Sequence, residues 1–251
     1  MAAEPTRSRI GTLAIQVDGE WDMEDLSNLS QSLAETHGLF YPLVAQDEVV
    51  RERLQSSLQD TFWSGNTDSR RIGERLYKQV PLTENLKLKS FYYSSPGAMT
   101  VMGVLGVLFL MAKVTNAWIK AGDGFLDLWK KVEKFFENRR HLRRPERKFE
   151  LDDEMAADSD AARSLVFDVG VQLGFNHDAC EALITVLGNP ISALKFLVAV
   201  AKEGRKLSAL QNDGKLSLPV PSDPIVQIEL SSGARIRRSG GPVVTKKPRR
   251  P

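Results

Sequence analysis

Cysteine and histidine are scarce in this chain. Its 251 residues include one cysteine, Cys180, so no disulfide can close within the chain, a composition that favours a reducing compartment. The three histidines, His37, His141 and His177, lie in unrelated segments, and only His177 is near the cysteine, three positions before it. A structural zinc site takes four ligands, and a nucleophilic Cys–His pair needs a third group that orients the histidine. The sequence therefore predicts neither a metal centre nor a catalytic thiol.

Recognised catalytic and cofactor-binding motifs are also missing. The chain has no GxGxxG, no Walker A sequence, no GxSxG and no HExxH. An acidic run at 152–160 lacks the spacing and the glycine of a calcium loop. The first nineteen residues contain no apolar segment of the kind found in secretory signals. We therefore expect a non-enzymatic protein without a cofactor, located in the cytoplasm or associated with a membrane.

The chain does have enough apolar residues for a folded core. Apolar residues make up 42% and charged residues 26%, with a net charge of +2 at pH 7. These values are typical of a globular protein, and the length fits one large domain or two modest ones. Segments with a two-residue repeat and segments with a helical repeat both occur, and the helical ones dominate. The predicted fold class is α+β, mostly helical.

Residues 1–95 are predicted to form a small strand–helix–helix–strand module. Near its start, three apolar residues alternate with less apolar ones, as in a half-buried strand: Leu13, Ile15 and Val17. Asp22 is a candidate N-cap for a first helix that ends at Gly38, and a second helix is expected over 46–63. A second strand is expected around 86–93, in one sheet with the first.

The segment 98–119 is the most unusual part of the sequence, because it is strongly apolar and its only charge is Lys113. Its 22 residues are about the number that a helix needs to cross roughly 30 Å of hydrocarbon. With its flanks it predicts one helix over 94–120, either buried by protein or inserted in a membrane. The buried helix is the preferred interpretation, since Lys113 and Asn116 weaken membrane insertion.

A further helix, expected around 124–142, is strongly amphipathic. One side is apolar and partly aromatic and is a candidate interaction face: Phe125, Leu128, Trp129, Val132, Phe135 and Phe136. Basic residues cluster beside that face and beyond it: Lys130, Lys131, Lys134, Arg139, Arg140, Arg143, Arg144, Arg147 and Lys148. Together with the apolar helix, this amphipathic helix forms the predicted middle unit, 96–148.

The second half of the chain is predicted to be helical after an acidic linker at 149–160. Asn176 and Asn189 are candidate N-caps within a helical unit that spans 161–238. A β-hairpin is expected at the end of this unit. The basic tail 239–251 is rich in Gly and Pro and is expected to be disordered.

The amphipathic helix favours a protein that works by binding. A monomer rarely leaves a large apolar face exposed, so a protein partner or self-association is expected on the aromatic face. The function predicted from the sequence is therefore that of an interaction or adaptor protein. The basic residues leave two alternatives open: an anionic membrane, with 98–119 inserted, and nucleic acid bound by the Arg-rich run and the tail.

Overall fold

The protein has a mostly helical α+β fold with a four-stranded antiparallel sheet, as the sequence predicts. The computed structural model describes residues 8–63, 72–94, 96–141 and 151–219, with the backbone only at 63, 122–124, 139–141 and 151–157. The strands are β1 (Ile10–Val17), β2 (Lys87–Tyr92), β3 (Gly97–Val104) and β4 (Leu216–Ser217). The helices are α1 (Met23–Val44), α2 (Glu48–Trp63), α3 (Ile72–Tyr77), α4 (Leu105–His141), α5 (Leu151–Gln172), α6 (His177–Leu187) and α7 (Pro190–Asn212).

The sheet has the order β2-β3-β1-β4, and both strands predicted in the N-terminal module are present. They are not neighbours, because β3 lies between them and pairs with β1 from Ile10↔Val104 to Val17↔Gly97. Residues 97–104 were predicted as part of a helix, and this prediction is wrong. Buried Met99 and Val101 alternate with partly exposed residues along β3, a two-residue repeat that the uniformly apolar composition conceals.

Helix α4 begins directly after β3 and continues for 37 residues. At a rise of 1.5 Å per residue it is roughly 55 Å long, so the two helices predicted for the middle of the chain are one. Its first half is buried by protein, with Val107, Leu108 and Met111 almost inaccessible. Among the described helices, no single one is long and apolar enough to span a bilayer. Helices α6 and α7 are long and apolar enough only when they are taken together, and the chain bends by 113° between them.

Helix α1 has the predicted start but not the predicted end. Asp22 is its N-cap, and its carboxylate accepts a hydrogen bond of 2.7 Å from the backbone N–H of Asp25, forming a capping box. Gly38 does not end the helix, which continues to Val44. A Cβ added at Gly38 would lie 2.1 Å from the carbonyl oxygen of Gly73 in α3. Gly38 therefore allows two helix backbones to touch.

Replacing Gly38 with Ala should separate α1 from α3. The added methyl group would meet backbone atoms, which cannot rotate away, so we expect a loss of about 1–3 kcal/mol in the free energy of unfolding. Urea denaturation would measure it. Gly106→Ala in α4 is a matched control, since its nearest new contact is a Val44 side-chain atom at 3.4 Å. Equal stability of both variants would contradict the close contact.

The C-terminal helices begin as predicted. The side chains of Asn176 and Asn189 accept hydrogen bonds from backbone N–H groups in the first turns of α6 and α7. The predicted acidic linker at 149–160 is helical from Leu151, where α5 begins; Ala, Glu and Met there favour helix, and acids near a helix N-terminus are stabilising. The predicted hairpin after 225 and the tail 239–251 lie outside the described residues.

One core joins the first and last parts of the chain. Helix α7 packs against α1, α2, α4, α5 and α6, and its Phe196, Leu197 and Val200 are inaccessible. After α7, strand β4 pairs with the end of β1, with Leu216 opposite Val17. Helices α4 and α7 therefore lie side by side, and this places the candidate site.

Candidate functional site

The predicted interaction face of α4 is divided between core and surface. Phe125, Leu128 and Val132 are buried among residues of the chain's own core. Trp129, Phe135 and Phe136 are only partly buried and pack against that core, which leaves part of each ring accessible. The first three are covered by the chain's own core, which is one of the covers that an apolar helix face can have. A role of this face in binding stays a prediction, and the three partly accessible rings are where a partner could reach it.

The structure describes only part of the predicted basic patch. Lys130, Lys131 and Lys134 are exposed on α4, and Lys130 forms an ion pair of 3.0 Å with Asp127. Arg139 and Arg140 belong to the last turn of α4, where only the backbone is described. The remaining members of the patch lie outside the described residues: Arg143, Arg144, Arg147 and Lys148.

A groove lies where α4 meets α7, near the start of the aromatic face. Its volume is about 250 Å³. Each helix lines one side of it with residues that are spaced by whole helical turns and so lie on one face of that helix. The lining residues are Trp118, Ile119 and Leu126 from α4 and Arg205, Ser208, Ala209 and Asn212 from α7. We call this the α4–α7 groove.

Trp118 forms a fixed wall of the α4–α7 groove. Its indole N–H donates a 2.7 Å hydrogen bond to the carbonyl oxygen of Ala201, and its ring centroid lies 3.9 Å from that of buried Phe125. Gly204 makes this position available, since a Cβ there would lie 2.6 Å from the indole Cδ1. The aromatic wall is therefore held by contacts on two helices.

The mouth of the α4–α7 groove combines apolar surface with positive charge. The side chain of Leu126 is 49% exposed although it adjoins an apolar depression. Arg205 is exposed on the opposite side, and its guanidinium has no ion-pair or hydrogen-bond partner among the described residues. The Ser208 hydroxyl already donates to the Arg205 carbonyl oxygen, at 2.9 Å. An apolar group with a nearby anion would complement this arrangement.

A buried carboxyl pair lies between α1 and α7. Glu35 and Glu203 are 6% and 7% exposed. The Lys206 ammonium nitrogen lies 3.8 Å from a carboxylate oxygen of Glu35 and 2.8 Å from one of Glu203. Gln31 also donates to Glu35, at 2.7 Å. Burial raises the pKa of Glu203 to about 7; the Lys206 hydrogen bond opposes this rise and the nearby charge of Glu35 adds to it. The charge between α1 and α7 therefore changes with pH.

A second buried titratable group is His37 on α1. Its ring is inaccessible and lies between those of Tyr41 and Tyr77, with centroid distances of 5.8 and 5.6 Å. Neither ring nitrogen has a hydrogen-bond partner within the described parts of the chain. Burial lowers the pKa of His37 to about 4, so the imidazole is neutral at pH 7. These contacts give His37 a packing role.

Cys180 and His177 form no reactive pair. The Cys180 side chain is inaccessible, and burial raises the pKa of its thiol to about 11, which disfavours the nucleophilic thiolate. The His177 ring stacks on Phe167, with 4.1 Å between centroids. Among the residues described, no three His, Cys, Asp or Glu side chains are grouped as they would be to hold a metal ion.

Comparison of the chain with protein-family models, curated proteins and solved structures gave no match. Function must therefore be inferred from the chemistry of these residues. The α4–α7 groove is the described feature that combines accessible apolar surface, a fixed aromatic wall and an unpaired cation. Sequence reasoning missed it because α4 and α7 are distant in the chain. Gly204 within a helix was the one signal of close packing.

Proposed function

We propose that this chain is a non-enzymatic interaction or adaptor protein that binds a protein partner at the α4–α7 groove and along the adjoining part of α4. The observation that carries the proposal is the half-exposed Leu126 at the mouth of an apolar groove, opposite the unpaired guanidinium of Arg205. Apolar surface beside a groove between helices is typical of sites that receive a partner's helix or extended segment.

The size of the groove supports a protein partner over a cofactor. Its volume of about 250 Å³ is below the roughly 300–1,000 Å³ typical of small-molecule and cofactor sites. The same helix also carries the half-buried Trp129, Phe135 and Phe136, and aromatic residues are enriched in protein interfaces. A partner segment that lies along α4 could contact both.

The charge of the chain near the end of α4 supports an acidic partner. Residues 139–148 contain six basic residues and one acidic residue. Such a concentration of positive charge attracts acidic surfaces and accelerates their association, an effect that salt weakens. Anionic lipid and nucleic acid offer negative charge too, and they are the alternatives to a protein partner.

Leu126→Asp is expected to abolish partner binding while the protein stays folded. The side chain is half exposed, so the change should alter the free energy of unfolding by less than about 1 kcal/mol, while adding a negative charge where an acidic partner docks. Affinity capture from cells, followed by binding of the recovered protein in purified form, would measure the effect. Val171→Asp on α5, where the side chain is 58% exposed, is the matched control.

Vesicles and nucleic acid test the two alternatives with the same variants. We expect vesicles with phosphatidylserine, and duplex DNA or RNA, to bind weakly and equally to wild type, Leu126→Asp and Val171→Asp. If Leu126→Asp and Val171→Asp both captured the same partners as wild type, the proposed site would be contradicted. Salt-sensitive binding to vesicles or nucleic acid that needs Leu126 would favour the alternatives instead.

A further inference from the structure

We infer that the α4–α7 groove receives one bulky apolar side chain from an acidic segment of the partner, with a carboxylate of that segment bound to Arg205. This inference rests on the proposed function and specifies the chemistry of its partner. The partner is therefore expected to present a short acidic segment with a large apolar residue near its centre.

The apolar part of the groove fits a single anchor. Its apolar lining is the indole of Trp118 and the aliphatic side chains of Ile119 and Leu126, and its volume of about 250 Å³ suits one large side chain. The Trp118 ring is held in place by its hydrogen bond to Ala201 and by contact with Phe125, so little order need be gained on binding. Anchors of this kind, aromatic above all, carry most of the binding energy of many interfaces.

The polar side of the groove fits a carboxylate. Arg205 is exposed at the rim with no partner in the described residues, and a guanidinium binds a carboxylate through two parallel hydrogen bonds. Asn212, two turns further along α7, also lines the groove and can donate from its amide. Its position allows a second polar contact beyond the anchor. A basic partner would instead place like charges together beside Arg205.

Synthetic peptides would test the anchor and the charge separately. Three amidated peptides share one acidic sequence and carry Phe, Leu or Ala at the centre, and a fourth has the Phe centre with every acid replaced by Lys. They are titrated into the full-length ¹⁵N-labelled protein, and the indole N–H of Trp118 and the backbone amides of 116–126 and 205–212 are followed by NMR. We expect these signals to shift most with the acidic Phe peptide, and at least about tenfold weaker binding with Ala at the centre.

Variants of the groove identify which part of it binds. Ala209→Trp should fill the groove from an exposed position and abolish the shifts, and Arg205→Glu should weaken the acidic Phe peptide by about tenfold or more. Lys87→Glu makes the same charge change at an exposed position on β2, which does not line the groove, and should have less than a twofold effect.

Three results would overturn the inference: no shift at the groove at millimolar peptide, equal binding of the Phe and Ala peptides, or equal binding of the acidic and Lys peptides. The inference can fail while the proposed function stands. Peptide shifts confined to 129–138 would place the contact on the aromatic side of α4 alone. If the peptides bound nowhere and Leu126→Asp bound the partner as wild type does, both the inference and the proposed function would be contradicted.

Discussion

Leu108→Asp is expected to leave almost no folded protein. Leu108 lies in the buried first half of α4 and is 1% exposed, and the core around it contains Val104, Val107 and Met111. An aspartate there would be an unpaired charge in apolar surroundings, which costs several kcal/mol. Because whole domains are stable by only about 5–15 kcal/mol, such a loss removes much or all of the stability. Soluble yield and the cooperative thermal transition of the purified protein would show it.

Leu126→Asp is the control for this experiment, since it makes the same chemical change on the same helix at a half-exposed position. It should be purified in normal yield with a melting temperature close to that of wild type. A Leu108→Asp protein that is soluble and melts like wild type would contradict the placement of α4 within the core. Extraction of the wild-type protein from cells only with detergent would contradict it as well.

Glu203→Gln should stabilise the protein at alkaline pH. The carboxyl group of Glu203 is 7% exposed and shares Lys206 with Glu35, so two carboxylates face one ammonium group in a buried site. Burial raises the pKa of Glu203 from 4.5 to about 7, with Glu35 adding to the effect of burial. Ionisation therefore costs more in the folded than in the unfolded protein. At about 1.4 kcal/mol per pKa unit, the cost is on the order of 3 kcal/mol.

The pH dependence of this effect has a definite sign. Below about pH 4.5 the carboxyl group is protonated in both states and contributes no cost. Between pH 4.5 and about 7 the unfolded chain releases the proton first, so stability falls as pH rises, and above 7 the cost is constant. Glutamine stays neutral and can still accept a hydrogen bond from Lys206. Urea denaturation of wild type and Glu203→Gln at pH 5 and pH 8.5 should show a difference that is much larger at pH 8.5.

Glu48→Gln provides the matched control, because Glu48 is 75% exposed and its ion pair with Arg51 is loose, at 3.5 Å. Its effect should be within about 0.5 kcal/mol at both pH values. If Glu203→Gln were no more stable than wild type at pH 8.5, the buried pair would not carry the excess negative charge that the geometry implies.

Local signals in the sequence predicted the fold class and the starts of α1, α6 and α7. Caps depend on residues within four positions of one another, so Asp22, Asn176 and Asn189 could be recognised without any tertiary information. Strand β1 could be recognised because one of its faces is open and its polar residues mark the two-residue repeat. These predictions succeeded where the environment of a residue is set by its neighbours in the chain.

Predictions failed where distant segments decide the structure. Strand β3 lies between two other strands and is apolar on both faces, so nothing local separated it from the helix that follows. Gly38 is a residue type typical of helix ends, but here it lies within α1 and allows close contact with Gly73, which is 35 positions away. Phe125 and Val132 were placed on a candidate interaction face, and the sequence could not show that the chain's own core covers them.

The α4–α7 groove could not be predicted for the same reason. Trp118 and Leu126 come from one helix and Arg205 from another, about 80 positions later in the chain, and only packing brings them together. The amphipathic pattern of α4 did indicate that this helix contacts something apolar on one side. It could not distinguish the core from a partner, because both present the same apolar surroundings to the helix.

Isothermal titration calorimetry with the recovered partner tests the proposed site most directly. Wild type and the two charge-changing variants Leu126→Asp and Arg205→Glu are compared with Val171→Asp and Lys87→Glu. We predict that the first two variants bind the partner at least about tenfold more weakly than wild type, and that the two controls bind as wild type does. Equal affinity for all five proteins would contradict binding at the α4–α7 groove.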